Sequence, residues 1–501
     1  VTRILISVFA VAAALGQTPD TQASLDLEIL DERGGRATAR TQLLDASGKP
    51  LAFPDSGLTA VHPRFANLGV IVRGQATLPL PAGRWQVAVD RGLEYRRVTL
   101  PVEVAAGARL KRQVRLTRWI DLAARGWWSG DTHVHRLPDE MPALMLAADL
   151  HFAPTLTRWN DRSSLDSWPD SPVFPVEPNR VYTVNNAEDE RPWGAVLFLG
   201  LRRPIQLYRF KDEHPTPLAT WRAARAEGAF IDFEKVIWWA APVIAALEKP
   251  DSIGVANNHF REASVMDNEA WGRPRNLAAY PGPEGFARYI FHLYALFQNA
   301  GFRVAASAGS ANGVLASPLG YNRSYVYLGR TFSPEAWLAG QKAGRNFVTN
   351  GPVLFLTVDG RMPGEALPER AADSLIQVEA MTSGRLDRVE ILVDGAPVNT
   401  FVPMVSGESQ RMAKRARRRL KAGSWVAARA LESLEDNARF AFTSPVYVGD
   451  TPKRSPAALA LMREWIDEYL SRLEKLPDAQ LTPEQKAEWL EMCKQARRYY
   501  E

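Results

Sequence analysis

The chain has 501 residues, and because a single hydrophobic core rarely grows past roughly 250–300 residues, several domains are expected. Its 46% hydrophobic and 23% charged residues are those of an ordinary globular protein. The formal net charge of +5 is too weak for this length to argue for nucleic acid, and no nucleic-acid partner is expected.

In chain order, Arg3 precedes an apolar run, Ile4 to Leu15, that exits through Gly16. This pattern predicts a signal peptide over residues 1–18. The run falls short of the ~20 residues that cross a bilayer. A secreted or periplasmic protein with no integral membrane segment after cleavage is therefore expected. Cys493 is the only cysteine, so no internal disulfide can form.

Residues 24–118 predict an N-terminal β-sandwich. Leu25, Leu27 and Ile29 alternate with polar residues, as do Trp85, Val87 and Val89 after the Pro81-Ala82-Gly83 turn. His62, beside Pro63 in a loop, is taken as a surface histidine. Over residues 124–351 short apolar strands alternate with helices, which predicts a mostly parallel sheet or barrel. Helices are expected at Pro142 to Leu150, Thr216 to Gly228 and Gly285 to Gly301, each followed by a strand. His292 falls inside the third and should be packed.

Residues 352–450 predict a C-terminal β-sandwich, with hairpin turns at Asp359-Gly360 and Asp394-Gly395. The basic run Arg411 to Arg419 lies between its strands and predicts a solvated hairpin arm. Residues 453–501 predict a two-helix tail. Leu459, Met462, Ile466, Leu470 and Leu473 form one apolar face, and Thr482-Pro483-Glu484-Gln485 is a capping box.

Only seven histidines occur, and two stand two residues apart in Asp131-Thr132-His133-Val134-His135. On an extended segment residues i and i+2 face the same way. Two imidazoles on one face can ligate one cation, with Asp131 placed to orient them.

The stretch from Gly126 to His135 resembles the first motif of the polymerase-and-histidinol-phosphatase (PHP) superfamily, and within it the chain is most similar to CehA/McbA-type metallohydrolases. The likeness continues through Asp189-Glu190, Asp232 to Lys235, Asn257-Asn258-His259, Ser307 to Ser310 and Gly320 to Arg323. It implies a distorted β/α barrel over residues 124–351, with metal ligands at strand ends. Three usual ligand positions differ: Trp159, Phe233-Glu234 and Gly309 to Gly313 stand where many members carry histidines or an aspartate. One divalent metal ion is therefore expected and not a cluster, zinc first, with manganese or iron as alternatives.

His133 and His135 are the expected ligands, with Glu190 third by its match to the family's strand-end glutamate. Glu234 is a further candidate ligand, the alternative being an ion pair with Lys235. His259 is a candidate ligand or acid–base group, or else a loop histidine bonded to backbone. Lys235 and Arg323 are candidates to steady an oxyanion, and Asp161 to move a proton. Asn257, Asn258, Tyr321, Asn322, Trp159 and Trp238 are candidate substrate contacts, the tryptophans offering flat apolar surface. The resemblance implies an exported metal-dependent hydrolase of an ester, phosphoester or related bond, with a small-molecule or glycan substrate. The rival is a non-catalytic carbohydrate- or ligand-binding protein on a degenerate barrel.

Overall fold

The structure, a computed structural model, describes residues 23–369, 372–403, 410–432 and 437–501; the leader expected over residues 1–18 lies outside these. The described chain is mixed α/β, with strands in the majority and seven α-helices. None of the described helices is long and apolar enough to cross a membrane.

In the N-terminal part, alternation translates directly into burial. Leu25, Leu27 and Ile29 of the strand Ala23–Leu30 are buried, and the polar residues between them are half-buried. This strand pairs antiparallel with Gln75–Leu80 and parallel with Arg109–Arg115. A second sheet pairs Thr38–Leu44 with Val70–Arg73 and with Gly83–Asp90. Leu27, Leu43, Leu78 and Val87 belong to one core shared by both sheets, each such side chain contributing about 1.5–3 kcal/mol when fully buried.

His62 departs from expectation, being only 1% exposed. Its Nδ1 accepts the Arg64 N–H at 3.1 Å, and its ring packs on Phe65. The neighbouring Val61, Leu68 and Ile71 pack against Met141, Leu144 and Met145 of the helix Met141–Ala148. That contact draws the loop inside, and burial holds the His62 imidazole down at about 4.

In the central part, Trp127–Gly130 pairs antiparallel with Arg323–Tyr327, and its last residue meets Phe152. From there the series runs Phe152–Trp159, Arg180–Arg191, Gly194–Leu199, Phe230–Phe233, Ser252–Ala256 and Ala305–Ala308. Three of these five pairings are parallel, but over residues 124–351 six pairings are antiparallel and four parallel, so the sheet is mixed and not mostly parallel. Gly194–Leu199 is antiparallel to both neighbours, because Arg191 to Gly194 closes a tight hairpin. Just past Gly130 the segment carrying the two histidines is held from both sides. Val134 bridges in parallel to Thr155, in the middle of Phe152–Trp159, and to Asn312 beyond Ala305–Ala308.

The expected helices occur as Met141–Ala148, Pro217–Ala226 and Gly282–Asn299. Two short ones, Ala241–Glu248 and Pro334–Lys342, were not anticipated. The second has a legible start, since Ser333 Oγ accepts the Ala336 N–H at 3.1 Å ahead of Pro334. His292, expected to be packed, is instead exposed on Gly282–Asn299, between the buried Phe291 and Leu293, with its ring 6.1 Å from that of Tyr280.

The C-terminal strands are not separate from the centre, because Asn346–Thr349 pairs with both Arg323–Tyr327 and Arg439–Thr443. The charged side chains of the basic run are solvated as expected, Arg411, Lys414, Arg415 and Arg417 to Arg419 all being exposed, but the run is itself a strand and not an arm between strands. It forms the strand Gln410–Leu420, paired along its length with Ala372–Thr382 at one edge of a three-stranded sheet. Met412 and Leu420 are its buried residues, and the long arginines between them mask that alternation in the sequence.

The tail is packed into the body. Leu459, Met462, Trp465, Ile466, Tyr469 and Leu473 join the core beneath Gly282–Asn299, and the Tyr500 hydroxyl donates to the Pro242 carbonyl at 2.6 Å. The capping box at Thr482 forms as expected.

Candidate metal centre

The histidine segment is positioned by buried polar groups. The Asp131 carboxylate, fully buried, accepts the backbone N–H of His133 at 3.1 Å, Ser310 at 3.0 Å and Gly320 at 2.8 Å. Asp131 therefore orients the segment through its backbone and does not bond either imidazole. One residue on, Thr132 Oγ1 lies 3.1 Å from Asp232 Oδ2, and Asp232 Oδ1 accepts from the Ser252 and Ser307 hydroxyls. Close approach from the last strand requires glycine at 309, where a Cβ would lie 2.4 Å from the His133 Cβ.

Residues two apart do share a face here. His133 Nε2 and His135 Nε2 are 3.0 Å apart, and the Glu188 carboxylate completes the group. Glu188 Oε2 lies 3.0 Å from His135 Nε2, and Oε1 lies 3.5 Å from His133 Nε2. The ligand atoms of the three residues all fall within 4.8 Å of one another. Two donors about 2.0–2.1 Å from a tetrahedral ion sit roughly 3.3 Å apart, so these separations fit one cation. Glu188 is 2% exposed, yet Oε2 has no hydrogen-bond partner. A buried carboxylate whose two oxygens each face one imidazole nitrogen calls for positive charge between them, from a proton or a metal ion.

The electrostatics of the protein groups point the same way. Burial opposes charging His133, but the Glu188 and Glu234 carboxylates outweigh it and raise the imidazole to about 10. Burial lowers His135, and the two imidazoles hold Glu188 well below the ordinary glutamate range against the effect of its own burial.

Glu234 stands behind the group. Its Oε1 is 3.3 Å from His133 Nδ1, and its other oxygen takes Lys235 Nζ. Both alternatives foreseen for Glu234 thus resolve toward the ion pair, with the added ability to fix the His133 ring. Glu190, the expected third ligand, is outside the set. Its Oε2 accepts Trp159 Nε1–H at 3.0 Å, and burial, then the charge of Glu188, raises its carboxyl to about 8. On the strand Arg180–Arg191, Glu188 and Glu190 share a face. Alternation cannot choose between them; the lateral reach of the histidine segment does.

The group lies in the wall of a pocket of about 830 Å³. Trp159 packs on the His135 ring at 4.7 Å, Trp238 stacks on Trp271 at 5.4 Å and 15°, and Phe210 meets Trp271 edge-on. Lys235 Nζ sits 4.6 Å from the Trp238 ring centre. His259 also faces this pocket. Burial, then the charge of Lys235, lowers it to about 3, so it is neutral. Its Nδ1 lies 2.9 Å from the Asn268 carbonyl and must donate to it, leaving Nε2 as a lone-pair acceptor. Asn258 and the rim residue Asp161 line the same pocket.

Four expected site residues are elsewhere. Asn257 Oδ1 accepts the His259 N–H, and Asn322 Nδ2 ties the Asn257 and Phe260 carbonyls together. Both are buried struts. Arg323 donates to the Gly320 and Ala148 carbonyls, and Arg323 and Tyr321 line a different cavity. Gly320 is pinned by Asp131, which turns residues 321–323 away from the imidazoles. Trp271 and Phe210 had no signal in the sequence, since both stand in loops without periodicity.

No family model, no curated protein and no solved structure matches the chain.

Proposed function

We propose that the chain is an exported metal-dependent hydrolase of the PHP type, its central strands forming a distorted β/α barrel between two β-sandwiches. The observation that carries this reading is the buried His133–His135–Glu188 group with its unbonded Glu188 oxygen, set in the wall of a large aromatic pocket. His133, His135 and Glu188 would hold a divalent cation, zinc by the two-imidazole, one-carboxylate donor set and manganese or iron as alternatives, which would supply Lewis acidity toward substrate and water.

The chain's own groups divide the remaining work. Glu234 fixes the His133 ring through Nδ1, while Lys235, also in the pocket wall, offers a cation to the oxygen on which negative charge develops. His259 Nε2, on an imidazole held down at about 3, accepts a hydrogen bond from the nucleophile and orients it, and Asp161 at the rim is the proton carrier. Trp159, Trp238 and Trp271 hold a flat apolar part of the substrate and exclude water from it.

Elemental analysis of the purified protein, paired with assays on esters, phosphoesters and related substrates, tests the proposal. One equivalent of metal, chelator-sensitive turnover restored by added zinc, and loss of both in His133→Ala/His135→Ala are expected. A metal-free protein, or turnover indifferent to chelation and to that double substitution, sinks it. Stoichiometric metal without turnover on any substrate leaves the non-catalytic binding protein as the better account.

A further inference from the structure

A second cavity, of about 540 Å³, opens where the N-terminal sheets, the helix Met141–Ala148 and the C-terminal strands meet. None of the metal-centre residues lines it. Its wall carries four guanidinium groups, from Arg40, Arg97, Arg323 and Arg439, against two carboxylates, Asp90 and Glu262.

These charges are unevenly spent. Arg40 is saturated: its fork bonds Asp90 at 3.1 Å and both oxygens of Glu262 at 2.8 and 2.6 Å. Arg439 pairs with Glu432 at 3.1 Å. Arg97, 39% exposed at the side chain, donates from Nη2 to Gln42 Oε1 at 2.8 Å and reaches to within 3.7 Å of Asp90 through Nη1. Arg323 is 1% exposed and has no carboxylate within ion-pair distance among the described residues. Two backbone carbonyls take its Nε and Nη2, and Nη1 has no hydrogen-bond partner.

Glu94, the buried carboxylate that feels the charge of Arg323, lies outside the cavity wall, and Nη1 itself is left without a bonded partner, which is costly because arginine cannot shed its proton. The guanidinium is nonetheless held in a close-fitting cradle. A Cβ at Gly320 would lie 2.8 Å from Arg323 Nη2, and one at Gly92 would lie 2.0 Å from the Ala148 carbonyl oxygen. Opposite the guanidiniums the wall is apolar, made of Leu93, Leu144 and Leu319.

We propose that this cavity is a second ligand site, for a small organic anion with a carboxylate or phosphate head and an apolar body. The head lies toward Arg97 and into the field of Arg323, and the body lies on the leucine wall. Because the lining comes from three parts of the chain, a bound anion clamps them together.

Calorimetric titration of the chelated full-length protein with benzoate, phenyl phosphate and inorganic phosphate tests this, chelation keeping the metal centre out of the measurement. Saturable binding of benzoate or phenyl phosphate is expected, tighter than inorganic phosphate, and whichever binds better identifies the head group. Arg97→Gln weakens it about tenfold, as loss of a charge-assisted hydrogen bond does, and Arg323→Met abolishes it. Should Arg323→Met fail to fold, Arg97→Gln, at the rim, decides alone. Absence of saturable binding by all three anions up to 10 mM (roughly the weakest affinity worth calling a site) overturns the proposal. So does binding that survives both substitutions, or that is lost on Trp238→Ala, which would place it in the aromatic pocket.

Discussion

Replacing Glu188 by glutamine keeps the shape of the side chain and removes the charge that faces both imidazoles. Among the described residues Glu188 is one of three whose ligand atoms converge, at 3.0 Å from His135 and 3.5 Å from His133. Loss of an outer partner of a metal ligand typically costs 10–100-fold in metal affinity. A direct ligand should cost at least the upper end, about 100-fold or ~2.7 kcal/mol. Zinc at one hundred times the wild-type Kd stabilises the folded chain by about 2.7 kcal/mol, and the same zinc stabilises Glu188→Gln by only about 0.4 kcal/mol. Glu190→Gln is the control, because Glu190 bonds Trp159 and forms no ion pair with either imidazole; its loss should stay under about tenfold. Competition titration of each apoprotein against a chromophoric chelator reads the affinities directly. If Glu190→Gln weakens zinc as much as Glu188→Gln, or if Glu188→Gln leaves the affinity intact, the assignment of the third ligand is wrong.

Gly309→Ala drives a methyl group to 2.4 Å from the His133 Cβ; zinc affinity should fall at least about tenfold, with the cost of overpacking about 1–3 kcal/mol in stability, and an unchanged affinity would show that the histidine segment tolerates displacement. Acid stability should carry the signature of His151, whose Nδ1 lies 2.9 Å from Ser129 Oγ and whose imidazole is lowered to about 3 by burial, then by the charge of Arg180. Its unfolded form takes up a proton below about 6.5, so its contribution is complete above that pH and is lost as pH falls toward 3, amounting to about 2 kcal/mol at pH 5. Urea titrations of wild type and His151→Asn should show their stability difference shrinking by that amount between pH 7 and pH 5; a constant difference refutes the shift.

Much of the architecture was legible because it rests on local rules. Leu25, Leu27 and Ile29 had to face a core whatever lay opposite them, and the capping box at Thr482 forms within a single turn. Loops and masked strands were not legible. His62 belongs to a loop that only the helix Met141–Ala148 draws inside, and Gln410–Leu420 hides its two buried residues among arginines that reach past its edge.

The candidate site divides along the same line. The sequence by itself determined that His133 and His135 face one way, because that follows from the two-residue repeat of an extended chain. Glu188 was not singled out there; once Arg180–Arg191 is a strand, alternation puts Glu188 and Glu190 on a single face and cannot rank them. Only the tertiary structure decided that Glu188 meets the imidazoles while Glu190 goes to Trp159. The same holds for Glu234, which backs His133, and for Arg323, which turns away into another cavity. Those outcomes depend on how far neighbouring strands slide and how closely Gly309 lets them approach, and no local periodicity encodes a distance between segments that lie far apart in the chain.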